Sequence, residues 1–386
     1  MRLKRIIQLG ADQATISLYQ QLVAEHGTPL LVFDSNVLRE QFLQLQTALP
    51  NVELFYAVKA HPAIEIIRQI DELCQEFGGG FDVASHGEMS MLLDQGITGR
   101  RAIHTHPIKK PKEIKDALRF GATTFVVDNI EELKKLLPYR SRIGVLLRVA
   151  FRGNAVVDLS KKFGCGISEA KDIVLQAAKL GIHIKGLSFH VGSQCANAQK
   201  HVEAINVCAD LIEQLNREID KPMSMLDIGG GFPADYALEG NSINDFCAPI
   251  RQELAKLPPD WHLIAEPGRF LVAPSITSVA SIIGKAKKQD TFWYYLDDGV
   301  YGSYSGQIFD HAVYPLQVLK SSETLYNSVL SGPTCDSIDT VAENIRLPEL
   351  QIGDLILGHQ MGAYTAATKT RFNSLPEAKL IEIGAN

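Results

Sequence analysis

The sequence predicts an α/β fold, a parallel (β/α)8 barrel joined to a second, mainly β domain. Two observations carry this. Between about residue 50 and residue 270 short apolar runs alternate with amphipathic stretches, and beyond residue 270 the alternation stops. The runs are ELFYAVK (53–59), GFDVAS (80–85), RAIHTH (101–106), TTFVVD (123–128), IGVLLRV (143–149), IKGLSFHV (184–191), SMLDIGG (224–230) and HLIAEPG (262–268). Between them AIEIIRQIDELCQEF, GEMSMLLDQ, KEIKDALRF, IEELKKLL, EAKDIVLQAAKL, HVEAINVCADLIEQLNREI and DFCAPIRQELAKL repeat apolar residues at spacings of three and four, the period of a helix with one buried face. Strands this apolar are covered on both sides, and eight of them alternating with helices favour a closed barrel over an open doubly wound sheet.

Beyond residue 270, APSITSVASIIGKAKK, TFWYYLDD and LQIGDLILGHQMGAYT read as strands and turns without regular helices. LLVFD (30–34) precedes the first barrel strand and can join this β domain from the other end of the chain. The expected division is 36–272 for the barrel and 1–35 with 273–386 for the β domain.

Composition narrows the function. The chain has 386 residues, 46% apolar and 21% charged, as in a soluble globular protein. Lys and Arg number 38 against 44 Asp and Glu, and with a net charge of -6 no basic stripe is offered to nucleic acid. No apolar run reaches the length of a signal peptide or a membrane span, so no membrane partner and a cytoplasmic location are expected. The six cysteines (Cys74, Cys165, Cys195, Cys208, Cys247, Cys335) show neither CxxC pairing nor zinc-ligand spacing, which indicates no disulfide framework and no metal.

Chemistry in a barrel gathers at the C-terminal ends of the strands, where loops vary freely above a fixed core. Lys59 ends the first run, Asp82 and Ser85 the second, and His190 with Ser193 the sixth. Gly229, Gly230 and Gly231 follow the seventh, and Glu266 through Arg269 close the eighth. Glycines that let backbone N–H groups approach, with an arginine beside them, suit a phosphate, although a tight turn explains the glycines equally well. A lysine at the same mouth is either an ion-pair partner or an amine that forms a Schiff base with a carbonyl. A phosphorylated aldehyde cofactor needs both features together, and pyridoxal 5′-phosphate fits. It further needs an acid near its ring nitrogen and a flat group against its face, which Glu266 and His190 can supply. By itself His190 is more often a satisfied core or strand-end histidine.

With these residues in hand, the sequence resembles the fold-type III pyridoxal-phosphate decarboxylases, most closely the ornithine decarboxylases. The motifs YAVKA (56–60), FDVAS (81–85), SFHVGS (188–193), LDIGGGFP (226–233), AEPGRF (265–270), DDGVYGS (297–303), GPTCDSID (332–339) and MGAYT (361–365) run in family order over nearly the whole chain. The resemblance implies a TIM-like barrel with an alanine racemase-like β domain. It implies that Lys59 carries the cofactor, that His190 stacks on the ring, and that Glu266 pairs with the ring nitrogen. Ser193, Gly229, Gly230, Gly231, Gly268, Arg269 and Tyr364 would surround the phosphate, with Asp82 and Arg148 near the ring and Lys59. Cys335 would protonate the α-carbon after CO2 leaves, and Asp310 and Asp336, with Tyr301, would hold the distal amine of a basic amino acid. By the same resemblance the protein is a homodimer with shared active sites, into which the β-domain loop of Cys335 and Asp336 reaches from the neighbouring subunit; SKKFG (160–164) is used near that interface.

His61 stands where many relatives have asparagine, and the chain lacks the extended tail of the eukaryotic enzymes, which suggests a bacterial type acting on ornithine and also on lysine. Two rivals share the barrel. Diaminopimelate decarboxylases usually have glutamate directly after the active-site cysteine, whereas Asp336 follows Cys335 here, and Asp310 would repel a distal carboxylate. Catalytically silent homologues of the antizyme-inhibitor kind lose parts of the cofactor set that this chain keeps.

Overall fold

The computed structural model describes residues 5–151 and 162–384. Ser160 and Lys161 of SKKFG lie outside the described residues. In order the chain forms β1 (Ile7–Leu9), α1 (Gln13–His26), β2 (Leu30–Asp34) and α2 (Ser35–Ala48). There follow β3 (Glu53–Ala57), α3 (Ile64–Phe77), β4 (Gly80–Val83), α4 (His86–Asp94), β5 (Ala102–His104), α5 (Pro111–Phe120), β6 (Thr124–Val127) and α6 (Ile130–Leu136). The series continues with β7 (Gly144–Val149), α7 (Ile167–Lys179), β8 (Ile184–Phe189), α8 (Gln199–Leu215), β9 (Met225–Asp227), α9 (Ile243–Leu254) and β10 (His262–Ala265).

Strands β3 to β10 pair in parallel, each with its sequence neighbour, and β10 returns to β3 to close the barrel. Each of the eight expected runs supplies one strand, and each amphipathic stretch supplies the helix that follows. The helices hold because their apolar stripes are buried: Ile66, Ile67, Ile70 and Leu73 on α3, Ile205, Cys208 and Ile212 on α8. Gly78 and Gly121, both at positive φ, end α3 and α5. Helix α2 was not anticipated; its Phe42 packs on Phe77 with ring centroids 6.2 Å apart.

Inside the barrel, Phe55, Ile103, Val126, Leu146, Met225 and Ile264 form one buried apolar cluster. Side chains along a strand alternate between faces, so each residue two further on also points inward. Two steps beyond Ile103, Leu146, Met225 and Ile264 come Thr105, Arg148, Asp227 and Glu266; two beyond Gly80, which pairs with Phe55, comes Asp82. The strand period thus stacks a layer of polar and charged groups on an apolar plug, toward the C-terminal ends.

The chain divides into two compact units, and the barrel unit is Arg39–Pro233 with Ser242–Phe270. The other comprises Met1–Leu38, Ala234–Asn241 and Leu271–Asn386. Its elements after the barrel are α10 (Arg269–Val272, which ends in it), β11 (Ile276–Lys288), β12 (Thr291–Leu296), α11 (Gly306–Phe309), β13 (Leu316–Val318), β14 (Tyr326–Ser331), β15 (Thr340–Leu347), β16 (Leu355–Gly358) and β17 (Lys379–Ile383). They form a mixed sheet in the order β1-β13-β16-β11-β12-β14-β15, with β2 pairing to β11 and to β17. Helix α1, also unanticipated, buries Tyr19 and Leu22 against Leu30, Val32, Val279, Leu355 and Leu357 of that sheet. Among the described residues no helix is long and apolar enough to cross a membrane.

Gly186 of β8 pairs with Met225 of β9, and a Cβ there would stand 1.7 Å from the Met225 carbonyl oxygen. Gly186→Ala is expected to destabilise the protein by at least ~1–3 kcal/mol through forced strand displacement, read as a lower urea midpoint. An unchanged midpoint would contradict the close approach.

Candidate active site

Lys59 sits in a turn of 3-10 helix, Val58–Ala60, directly after β3. The turn is held from both sides: the Ala57 N–H donates to the Pro267 carbonyl at 3.0 Å, and the Tyr56 hydroxyl to the His61 carbonyl at 3.0 Å. The Lys59 Nζ lies 2.6 Å from Asp82 Oδ2. Asp82 is buried and its other oxygen accepts from the Thr105 hydroxyl, whereas the lysine side chain is 41% exposed. An amine with a fixed partner on a side chain this exposed is oriented without being enclosed.

Asp227 and Glu266 share a hydrogen bond in the same inward layer. Asp227 Oδ1 also accepts from the Gly229 N–H at 2.8 Å, and the Glu266 N–H donates to the Gly229 carbonyl at 2.8 Å. Burial pushes the Glu266 carboxyl well above its usual range, and the negative charges of Asp227 and Asp82 add to this against the opposing pull of Lys59. Asp227 is raised too, again by burial first, and is relieved by its bonds to Glu266 and Gly229. The charge of Asp227 thus favours the protonated form of its neighbour Glu266.

The glycine turn after β9 rests directly on the loop after β8. A Cβ on Gly229, at φ +66°, would stand 2.1 Å from the Phe189 carbonyl oxygen, and one on Gly231 2.5 Å from that of Gly192. At Gly230 it would meet the Glu266 carbonyl oxygen at 2.7 Å and His190 Nε2 at 3.3 Å. Arg269, buried, donates from Nε and Nη2 to Ser193 Oγ at 3.2 and 3.0 Å. Gly268 approaches the methyl groups of Ala57 and Ala60, so a side chain there would press on the lysine turn.

His190 Nδ1 accepts from the Gly192 N–H at 2.9 Å. Burial, reinforced by Arg148 and Lys59, drives its pKa well below the usual range. The ring is therefore neutral with its proton on Nε2. Beneath the turn lies His201, fully buried at the start of α8. Its Nε2 bonds the Gly230 carbonyl at 3.1 Å and its ring stacks on Phe232 with centroids 5.5 Å apart. A carbonyl only accepts, so Nε2 carries the proton.

Asp227, Thr105 and His201 were not singled out from the sequence. For the first two, a polar group in an apolar run was the available signal; His201 is one residue of an amphipathic helix and gave none. Ser85, expected at the mouth, instead caps α4, its hydroxyl accepting from the Glu88 N–H at 3.2 Å.

The remaining expected residues belong to the β unit. The Tyr301 hydroxyl donates to Asp336 Oδ2 at 2.6 Å, and this bond with that of the Ile338 N–H keeps the Asp336 carboxyl low. Cys335 is exposed and its N–H donates to Asn373 Oδ1 at 3.2 Å, next to a Tyr301–Phe372 stack at 4.6 Å. Asp310 ends α11 as its C-cap, and Tyr364 holds a left-handed backbone at φ +53°. Among the described residues no group of His, Cys, Asp and Glu could hold a metal ion.

The barrel groups fit a pyridoxal phosphate. The acid layer has more carboxyls than cations, so a protonated ring nitrogen beside Glu266 would supply the missing charge, and the close-packed glycines leave backbone N–H groups beside the Arg269–Ser193 pair for a phosphate.

Comparison with known proteins agrees. The family model for the pyridoxal binding domain of pyridoxal-dependent decarboxylases matches residues 35–273. The lysine/ornithine decarboxylase of Selenomonas ruminantium is 36% identical over 348 residues, 90% of this chain and 87% of that protein. Antizyme inhibitor 2 of Xenopus laevis is 34% identical over 373 residues, 92% of this chain and 80% of its own. The crystal structure of a lysine/ornithine decarboxylase from Vibrio vulnificus complexed with cadaverine superposes with a TM-score of 0.92 at 47% identity, covering 97% of this chain and 100% of that one.

His201 makes the support of the glycine turn acid-sensitive. Burial lowers its pKa from 6.5 to about 4, so the unfolded chain takes up the proton first and stability is lost as pH falls from 6.5 toward 4. Relative to His201→Gln, the wild type should lose stability over this window with a slope of up to about 1.4 kcal/mol per pH unit. Urea midpoints of both proteins at pH 7, 5.5 and 4.5 measure it; parallel pH dependence would refute the assignment.

Proposed function

The chain belongs to the pyridoxal-dependent decarboxylases, and from that membership we propose that it removes the α-carboxyl group of L-ornithine, giving putrescine and CO2, and also acts on L-lysine, giving cadaverine. It is a lyase that uses pyridoxal 5′-phosphate. The observation that carries the reading is the accessible Lys59 amine fixed at 2.6 Å from buried Asp82, beside the acid layer and the Arg269–Ser193 pair.

When bound, pyridoxal phosphate offers an aldehyde to an amine and a protonated ring that accepts the electron pair left by CO2. Lys59 would hold the aldehyde between turnovers and hand it to the substrate, with Asp82 keeping the amine in place. Glu266, held by Asp227, would keep the ring nitrogen protonated, and neutral His190 would lie flat against the ring without competing for that charge. Ser193, Arg269, the N–H groups of Gly230, Gly231 and Gly268, and Tyr364 would hold the phosphate, with Gly229 shaping the turn while its own N–H serves Asp227, and with Arg148 near the ring. Cys335 would give the α-carbon its proton, a step a thiol performs better than a hydroxyl. Asp310 and Asp336, the latter oriented by Tyr301, would pair with the distal ammonium. Two acids there would disfavour a substrate with a distal carboxylate.

The same reading makes the protein a cytoplasmic homodimer whose sites are completed by the partner's Cys335 loop. Its support is that Cys335 is exposed and that Ile338 and Phe372, 52% and 40% exposed, flank it as an apolar rim; all six cysteines are free thiols, as suits a reducing compartment. A silent binding protein like the antizyme inhibitor gains nothing from an intact Lys59–Asp82 pair and phosphate cradle.

Measured on the cofactor-saturated enzyme with products identified, kcat/KM for ornithine and lysine should exceed that for meso-diaminopimelate by roughly 10²-fold or more; comparable turnover of diaminopimelate would overturn the substrate class. Lys59→Ala should be inactive and Cys335→Ala should form diamine only slowly, with part of its turnover misdirected to the cofactor carbon; mixing them under subunit exchange should restore diamine formation at roughly a quarter of the sites, since half the dimers then carry one site free of both changes. No recovery where exchange is shown by mass spectrometry would exclude shared sites.

A further inference from the structure

The connection 332–339 between β14 and β15 carries Cys335 and Asp336, and its geometry is governed by a residue so far without a role. Asp339 is buried within the β unit, with 1% of its surface exposed. Its Oδ1 accepts from the Val300 N–H at 2.8 Å and its Oδ2 from the Thr334 N–H at 3.0 Å. Its own carbonyl closes the base of the connection, accepting from the Gly332 N–H at 2.8 Å and the Ser331 hydroxyl at 3.0 Å. The carboxylate occupies a slot without room for side chains: a Cβ on Gly299 would stand 2.2 Å from Oδ1, and one on Gly332 2.1 Å from the same atom. Val300 and Thr334 immediately precede Tyr301 and Cys335, and Tyr301 in turn reaches Asp336. One buried carboxylate therefore keys together the loop of Tyr301 and the loop of Cys335.

We propose that Asp339 is a positioning residue for the protonation step, setting the stance of Cys335 and Asp336 through its simultaneous grip on Val300 and Thr334. This rests on the reading of Cys335 as the proton donor. Two N–H groups converging on one side chain require an acceptor at each end. A carboxylate provides that, while an asparagine would turn its own N–H2 toward one of them.

A displaced donor changes where the proton goes. If the cofactor's carbonyl carbon is protonated in place of the α-carbon, substrate and cofactor aldehyde together give CO2, an aminoaldehyde and the cofactor's amine, a balanced exchange with no outside oxidant. The test is the ratio of aminoaldehyde to diamine formed by the holoenzyme from L-ornithine, with kcat, KM and melting temperature measured in parallel. Asp339→Asn should raise that ratio and lower kcat by on the order of 10²-fold, with a KM change of a fewfold at most. Gly299→Ala, which keeps the carboxylate but evicts it from its slot, should do the same, and the double variant should be no worse than either alone. Should Asp339→Asn fail to fold, Gly299→Ala carries the test. Cys335→Ala is the reference: if it raises the aminoaldehyde fraction and the folded Asp339 or Gly299 variants do not, the inference is overturned while the reading of Cys335 stands. An unchanged fraction in Cys335→Ala would overturn both.

Discussion

A layer of inward-facing carboxyls with too few cations is the constraint on which the barrel site depends. Asp82, Asp227 and Glu266 point inward just above an apolar plug, and Lys59 and Arg148 are the opposite charges that act on them. Isolated charges in such a place are costly, so the layer meets the deficit in three ways: Asp82 takes the lysine and a threonine hydroxyl, Asp227 takes a backbone N–H, and Glu266 has its pKa raised toward the neutral form. That last arrangement makes the layer a receptor for a flat cation. A ring nitrogen that brought its own proton would relieve the site, and the relief would favour the electron-accepting form of the ring.

Backbone proximity is the second constraint. The glycine turn after β9 can lie against the β8 loop only because it has no Cβ atoms to meet the carbonyls of Phe189, Gly192 and Glu266. His201 then ties the turn to α8 from below. Residues that touch no ligand thus decide the shape of the surface that would. The β unit shows the same economy of means, for there a buried aspartate fits between glycines and ties the loop of Val300 to the loop of Thr334.

Much of this was legible in the sequence. Eight apolar runs and their amphipathic partners gave the barrel strand by strand, because parallel strands covered on both faces must be apolar and their helices must show one buried stripe. The lysine, the glycines and Arg269 were legible because each breaks its run at the strand end, where a barrel keeps its function. Helices α1 and α2 escaped because they precede the first barrel run and stand outside the alternation, although Leu38, Phe42 and Leu45 of α2 recur at helical spacing and are fully buried; what covers α1 and α2 is a sheet and a helix from other parts of the chain. The strands of the β unit after β12 were only partly visible, for a mixed sheet assembled from both ends of the chain leaves no regular alternation to count.

The sequence alone determined the strand period, and with it which residues of each run face one way. It could not say which of the two faces is inside, because that depends on how the strands register across the barrel. Only the closed structure brings Asp227 onto Glu266, Thr105 onto Asp82 and His201 under Gly230. These contacts join residues from different strands and helices, and their strength comes from the exclusion of water that closure brings, a property no local stretch of sequence possesses.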